Sequence, residues 1–173
     1  NPLKGSILNC SVSYANITAT TRTESGYSSG EANTGGLAGS VIANGSVSIS
    51  GCTVSNAICT SVANKSGFYA RTAGIAGYAS AQWKSSGTAV LLIDQCTVDG
   101  SFTATGNDAY TFAAAVIGKL TLKENKPSSV TISSYNVSGA SVTKNGSVSN
   151  YLIEDPATQA GNDPVTLVHA NAT

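Results

Sequence analysis

One short pattern recurs through this chain at a near-constant interval, and that recurrence limits its possible folds more than any other feature. "ILNCSV" begins at Ile7, "ISGCTV" at Ile49, "IDQCTV" at 93 and "ISSYNV" at 132. Each copy has Ile first (Ile7, Ile49, Ile93, Ile132), then Cys or Tyr three residues on (Cys10, Cys52, Cys96, Tyr135), then Val two further on (Val12, Val54, Val98, Val137). A second element lies between the copies: "GGLAGSV" at 35, "AGIAGYA" at 73 and "AAVIGKL" at 114, which align Leu37 with Ile75 and Val116, and Gly39 with Gly77 and Gly118. Both elements repeat at about 40 residues, so both belong to one structural unit.

Within a unit the apolar residues alternate, as in Val47 and Ile49 and then Cys52 and Val54, with the phase slipping across Ser50-Gly51. Alternation predicts strands with one buried face. The slip predicts a bend, to which Gly51 is suited. A third strand, marked by Ile17, Ile58, Phe102 and Val142, follows with a register that shifts by one residue between copies. Three short strands per unit, none able to bury its apolar face alone, predict units that stack as an all-β, right-handed parallel β-helix of about four coils, with long loops on one edge. Stacking places equivalent residues about 4.8 Å apart and makes a ladder of the cysteines. The repeat domain is read as residues 1–147, with units near 7–48, 49–92, 93–131 and 132–147. Residues 148–173 are read as a partial further coil, a cap or an extended arm.

The paired Gly-rich and Ile-x-x-Cys-x-Val elements resemble the GLUG-type repeats of bacterial surface and secreted proteins. The resemblance covers about residues 5 to 145. It implies a parallel β-helix and an adhesin-like role; Ala114 and Ala115 replace both leading glycines of the motif in the third copy.

Composition excludes several functions. Nine basic and nine acidic residues cancel, and charged residues are 10% of the chain against about 25% in an average domain. No basic stripe exists to neutralise phosphates, so nucleic acid is not an expected partner. No apolar run reaches the roughly 20 residues of a membrane-crossing helix, and no signal-peptide pattern opens the chain. The first residue is Asn1, which reads as a mature protein or an excised fragment. The first copy starts part-way through a coil with no amphipathic helix before it, which predicts a segment of a longer stack or end-to-end assembly.

Candidate chemistry is sparse. Stacked cysteines suit a tight apolar corner, and in-register side chains make poor disulfide partners; Cys59 falls outside that ladder. Cys52 and Cys59 lack zinc spacing, and the sole histidine is His169. Asp94 and Asp99 flank the third copy, too few for the six to eight oxygens of Ca²⁺. No metal or cofactor is expected. Acidic residues stand singly apart from Glu154-Asp155, and no nucleophile, base and orienter assemble around His169. The chain is therefore read as non-enzymatic, with a carbohydrate-active β-helix enzyme or its degenerate relative as the alternative. Ice binding is a further alternative, against which stands that "TAT" at 18 and 103 is not found in every copy.

Binding is expected in the long connections "TTRTESGYSSGEANT", "ANKSGFYART" and "GNDAYTF", which bring Arg22, Tyr27, Phe68, Tyr69, Arg71 and Tyr110 to one edge, with Trp83 on another connection. The expected partners are a protein or glycan ligand, or neighbouring copies or domains of a larger parent. The expected location is extracellular or on the cell surface. Asn-x-Ser/Thr triplets at Asn9, Asn16, Asn44, Asn64, Asn136, Asn145 and Asn171 read as turn chemistry or as N-glycosylation acceptors.

Overall fold

A computed structural model describes residues 4–22, 26, 28–81, 89–122, 128–153 and 165–167. The described chain is all-β apart from one 3₁₀ turn, Asp108–Tyr110. Its first unit contains β1 (Lys4–Leu8), β2 (Ser11–Ser13), β3 (Asn16–Thr20), β4 (Glu31–Gly35) and β5 (Ala38–Ala43). The second contains β6 (Ser46–Ser50), β7 (Thr53–Val62), β8 (Tyr69–Ala73) and β9 (Ala76–Ala81), with β7 spanning the places of β2 and β3. The third contains β10 (Ala89–Asp94), β11 (Thr97–Thr105), β12 (Thr111–Ala114) and β13 (Ile117–Leu122). Then follow β14 (Ser128–Ser133), β15 (Asn136–Lys144), β16 (Ser147–Val148) and β17 (Val165–Leu167).

These strands form four separate sheets, visited in the same order by each unit. The first runs β1-β6-β10-β14-β17 and the second β16-β15-β11-β7-β2, with β3 also on β7. The third is β12-β8-β4 and the fourth β13-β9-β5. Among the described residues every pairing between units is parallel, and only the β15–β16 hairpin is antiparallel. That hairpin turns at Asn145-Gly146, both at positive φ, as a two-residue Asn-Gly turn requires.

The register is like on like. Ile49 lies opposite Ile7 and Ile93, and Ile93 opposite Ile132. Val54 pairs with Val12 and Val98. Just before each Cys or Tyr of the pattern the backbone turns left-handed: Asn9 at φ 52°, Gly51 at 65°, Gln95 at 51° and Ser134 at 48°. The bend is a property of every unit, although only one copy uses glycine for it. It flips the side-chain phase so that Ile49 and Cys52 both point inward.

The third expected strand has a different inward residue in the second unit. Cys59 pairs with Ile17 and Phe102, and Phe102 pairs with Val142. Cys59 is 0% exposed and Ile58 is 49% exposed, so Cys59 belongs to an internal rank. The one-residue slip is a bulge: Val98 pairs with Val54 but Gly100 with Ala57, so β7 carries an extra residue opposite Asp99, and the β11–β15 register shifts likewise between Thr97 and Asp99.

Each unit also carries strands where the sequence reads as loop, because β4, β8 and β12 turn only small residues inward. Ala32 and Thr34, Ala70 and Thr72, Thr111 and Ala113 face inward, giving no strong apolar alternation. Thr34 Oγ1 donates to Thr72 Oγ1 at 2.9 Å and lies 2.8 Å from Ser61 Oγ, which donates to Arg71 O at 2.8 Å. The buried hydroxyls thus satisfy one another.

Recurring glycines set the closeness of the third and fourth sheets. A Cβ on Gly39 would stand 2.8 Å from Asn33 O, and one on Gly118 would meet Gly77 O at 2.6 Å and Thr72 O at 2.7 Å. Leu37, Ile75 and Val116 form the adjoining ladder, with Leu37 N–H donating to Ile75 O and Ile75 N–H to Val116 O. The motif continues past the third unit: Val116 N–H donates to Leu152 O at 3.0 Å, and Ile117 bridges Ile153. Glu154, Asp155 and His169 lie outside the described residues.

Candidate functional site

The outer faces of the third and fourth sheets carry a group of aromatic and charged side chains in mutual contact. Side chains alternate along β8, so Ala70 and Thr72 point inward while Tyr69 and Arg71 point outward. Arg71 is nevertheless buried, because aromatic rings cover it. Its guanidinium carbon lies 3.9 Å from the centroid of Tyr69 and 4.5 Å from that of Tyr78. Its Nη1 reaches Glu31 Oε2 at 3.0 Å and Asn33 Oδ1 at 3.3 Å. Asn33 Nδ2 in turn donates to Glu31 Oε2 and to Ser40 Oγ, each at 3.1 Å.

The cluster extends to the third unit. Tyr110 stands edge-on to Tyr69 with centroids 5.1 Å apart, and Phe112 stacks near Tyr69 at 6.5 Å and 22°. Lys119 Nζ sits 4.0 Å from the Phe112 centroid and Lys144 Nζ 5.7 Å from it. The result is a cationic and aromatic surface whose rings are fixed by one another.

Of the expected edge residues, Tyr69, Arg71 and Tyr110 come together, Arg71 and Tyr110 each against the Tyr69 ring. Phe68 and Arg71 do not stand on an open edge; both are buried. The reason is local: the segment from Tyr69 is a strand, and Phe68 precedes it with its ring packed against Gly30. Arg22 is exposed and lines a separate pocket with Phe68. Tyr27, Trp83 and Asn171 lie outside the described residues. Tyr78, Phe112, Lys119, Glu31 and Asn33 were not singled out by sequence. Their signal is positional: Ser40, Tyr78 and Lys119 each follow the recurring glycine and pair in register.

The cysteines are all free thiols. Cys52, Cys59 and Cys96 are buried, whereas Cys10 is exposed because no described strand covers the outer side of the first unit. Cys52 Sγ donates to Ser50 O at 3.4 Å and Cys96 Sγ to Asp94 O at 3.3 Å. Burial pushes the Cys59 and Cys96 thiols up to about 11. Loss of hydration also raises Tyr135 above the ordinary phenol value.

Asp94 Oδ1 accepts from Ser133 Oγ at 2.8 Å, and Asp99 sits against Gly139. Among the described residues no three His, Cys, Asp or Glu side chains gather as metal ligands. No helix among them is long and apolar enough to cross a membrane.

The Asn triplets occupy varied settings. Asn9, Asn16, Asn64 and Asn145 are exposed, and Asn44 and Asn136 are half-buried. Asn64 Nδ2 donates to Thr21 O at 3.3 Å, and Asn145 Oδ1 accepts from Gly106 N–H at 2.8 Å. Outward on the second sheet, Thr18, Thr60, Thr103 and Thr143 stand in register. One threonine therefore recurs in every unit even though "TAT" does not.

No protein-family model, curated protein or solved structure matches this chain.

Proposed function

We propose that the chain is a right-handed parallel β-helix module of a larger extracellular or cell-surface protein, non-enzymatic, with an adhesive or structural role. The observation that carries the reading is the in-register rank Ile7, Ile49, Ile93 and Ile132, together with the fixed order in which the units visit the four sheets. Parallel crossovers are right-handed in about 98% of cases, which supports the hand. The resemblance to GLUG-type repeats supports the surface setting.

β1, β2, β4 and β5 each end their sheet's order. Such edges favour pairing with a further strand. A like unit from the parent protein or a neighbouring copy fits them by register. The aromatic and cationic face around Tyr69, Tyr110 and Lys119 supports recognition of a protein or glycan. The test is an array of extracellular proteins and glycans probed with the intact chain, repeated with Tyr110→Ala. Selective binding that the substitution weakens is the expected result; no binding by a folded sample overturns the adhesive role. Release of reducing ends from polysaccharides overturns the non-enzymatic reading.

The threonine rank favours a second reading, the ordering of water at a flat face. Thermal hysteresis in a freezing-point measurement tests it, and its absence removes it.

A further inference from the structure

We infer that the face formed by β1 to β5 is an interaction surface for one further coil of the same repeat, supplied by the parent protein, while the opposite end of the stack is closed by the chain itself; this rests on the stacked-module reading and gives the module a direction. Equivalent residues at the two ends differ in exposure. Ile132 is 2% exposed, Tyr135 4% and Val116 1%, whereas in the first unit Ile7 and Leu37 are half-buried and Cys10 is exposed. In the second unit Ile49, Cys52 and Ile75 are fully buried. Among the described residues no strand lies beyond β1, β2, β4 and β5 in their sheets, so the first unit lacks there the cover that each later unit receives.

The closed end is built from three pieces. β17 pairs parallel with β14 along Val130 to Ile132, and β16 folds back antiparallel on β15. The segment before Ile153 covers the third unit: Ala115 N–H donates to Tyr151 O at 2.9 Å and Val116 N–H to Leu152 O at 3.0 Å. The hairpin is pinned to the third unit, since Asn145 Oδ1 accepts from Gly106 N–H at 2.8 Å and Asn145 Nδ2 donates to Asp108 Oδ1. Because β16 runs antiparallel, it occupies the edge on which a parallel coil would continue the second sheet.

The open end keeps the geometry of a joint between coils. Thr53 N–H donates to Cys10 O, Thr97 N–H to Cys52 O and Asn136 N–H to Cys96 O, at 2.8 to 2.9 Å. Ser11, the register partner of Thr53, holds that donor's place in the first unit. Leu8 O stands where Ser50 O accepts from Asn9 N–H and Asp94 O from Gly51 N–H. These groups are set for a parallel strand in the established register. Side chains add the partner's pattern: Gly36 receives Val54 and Gly74 receives Val98, so the coil over Val12 carries a small residue there, with an Ile over Ile7 and a Cys or Tyr over Cys10. A second copy does not supply this. Its open end would meet this one with strands antiparallel, and its closed end offers β16 in the wrong direction.

The experiment extends the full chain by one coil. A copy of residues 46–89 replaces residues 1–3; Lys4, Ser46 and Val90 are register partners, so the join keeps the interval. A second extension uses residues 90–128, since Ser129 lies opposite Val90. Thiol labelling located by mass spectrometry reads the joint. In the unextended chain Cys10 should label at once at every protein concentration. In the extended chains Cys10 should lose that reactivity until denaturation, the added copy's Cys52 or Cys96 should gain it, and the melting temperature should rise. Ile49→Asp or Ile93→Asp in the added coil alone should restore Cys10 labelling. Cys10 that stays reactive in both extensions overturns the inference. Backbone contacts between Ile7 and Ile49 in the same samples then show that the stacked fold stands, and their absence shows that the fold reading has failed as well. Cys10 protection that grows with concentration of the unextended chain, with a dimer in sedimentation, gives the open face to a second copy and overturns the assigned partner.

Discussion

Gly74 lies so close to Val98 that a Cβ on the glycine would stand 2.1 Å from Val98 Cγ1 and 2.6 Å from Ala115 O. Gly36 has the same relation to Val54 in the preceding unit, at 2.5 Å. The Gly-rich element and the Ile-x-x-Cys-x-Val element thus recur together because the glycine of one unit receives the valine of the next. In the third unit Ala115 takes the glycine's place, and there the following Val137 is only half-buried, beside an irregularity in the β11–β15 register.

Gly74→Ala is therefore expected to destabilise the fold by about 1 to 3 kcal/mol through overpacking. Gly74→Ala combined with Val98→Ala should recover part of that loss. Urea unfolding of both variants measures it; a neutral Gly74→Ala protein contradicts the packing.

Arg71 acts as a structural cation. Arg71→Ala removes a group sandwiched by two tyrosines, and a loss of about 1 to 3 kcal/mol is expected. Glu31→Gln should cost under about 1 kcal/mol, since its carboxylate is half exposed. Thermal melting of the two variants decides the order, and a larger effect from Glu31 reverses the assignment.

The left-handed residue before each Cys or Tyr gives a stabilising substitution. Gln95 has an exposed side chain and φ 51°, where a non-glycine residue costs about 1 to 2 kcal/mol. Gln95→Gly, which copies Gly51, should stabilise by about 0.5 to 1 kcal/mol after the entropy of glycine is counted. A fall in the unfolding midpoint contradicts it.

Thiol chemistry should divide the cysteines. Cys10 should label at once with a thiol reagent, and Cys52, Cys59 and Cys96 only after denaturation. The Cys59 and Cys96 thiols rise from 9.0 to about 11 in the fold. The stability this represents is fully present below pH 9, where both states are protonated, and is lost as pH rises towards 11, where the unfolded chain ionises first. Unfolding midpoints compared at pH 8 and pH 10.5 measure the loss; Cys59→Ala should reduce the difference between them.

Much of the architecture was legible because Ile49 and Val54 belong to side chains large enough to mark a period. The all-β class and the alignment of Ile7, Ile49, Ile93 and Ile132 were readable from that period alone. β4, β8 and β12 escaped because alanine and threonine fill a narrow interior without an apolar signature. Cys59 was displaced by Ile58 in the reading since nothing local marks the bulge opposite Asp99. The candidate site was less legible: Arg71 looks like a loop cation until the ring of Tyr78, from another sheet, is found lying over it.

The register of the isoleucine rank is the point on which the account turns. Inter-strand NOE spectroscopy on the labelled chain tests it directly, through backbone contacts about 4.8 Å apart between neighbouring strands. The account predicts parallel contacts from the Ile49 region to both Ile7 and Ile93, and from Ile93 to Ile132. Antiparallel contacts, or a parallel set displaced by one residue so that Ile49 faces Leu92, would contradict it.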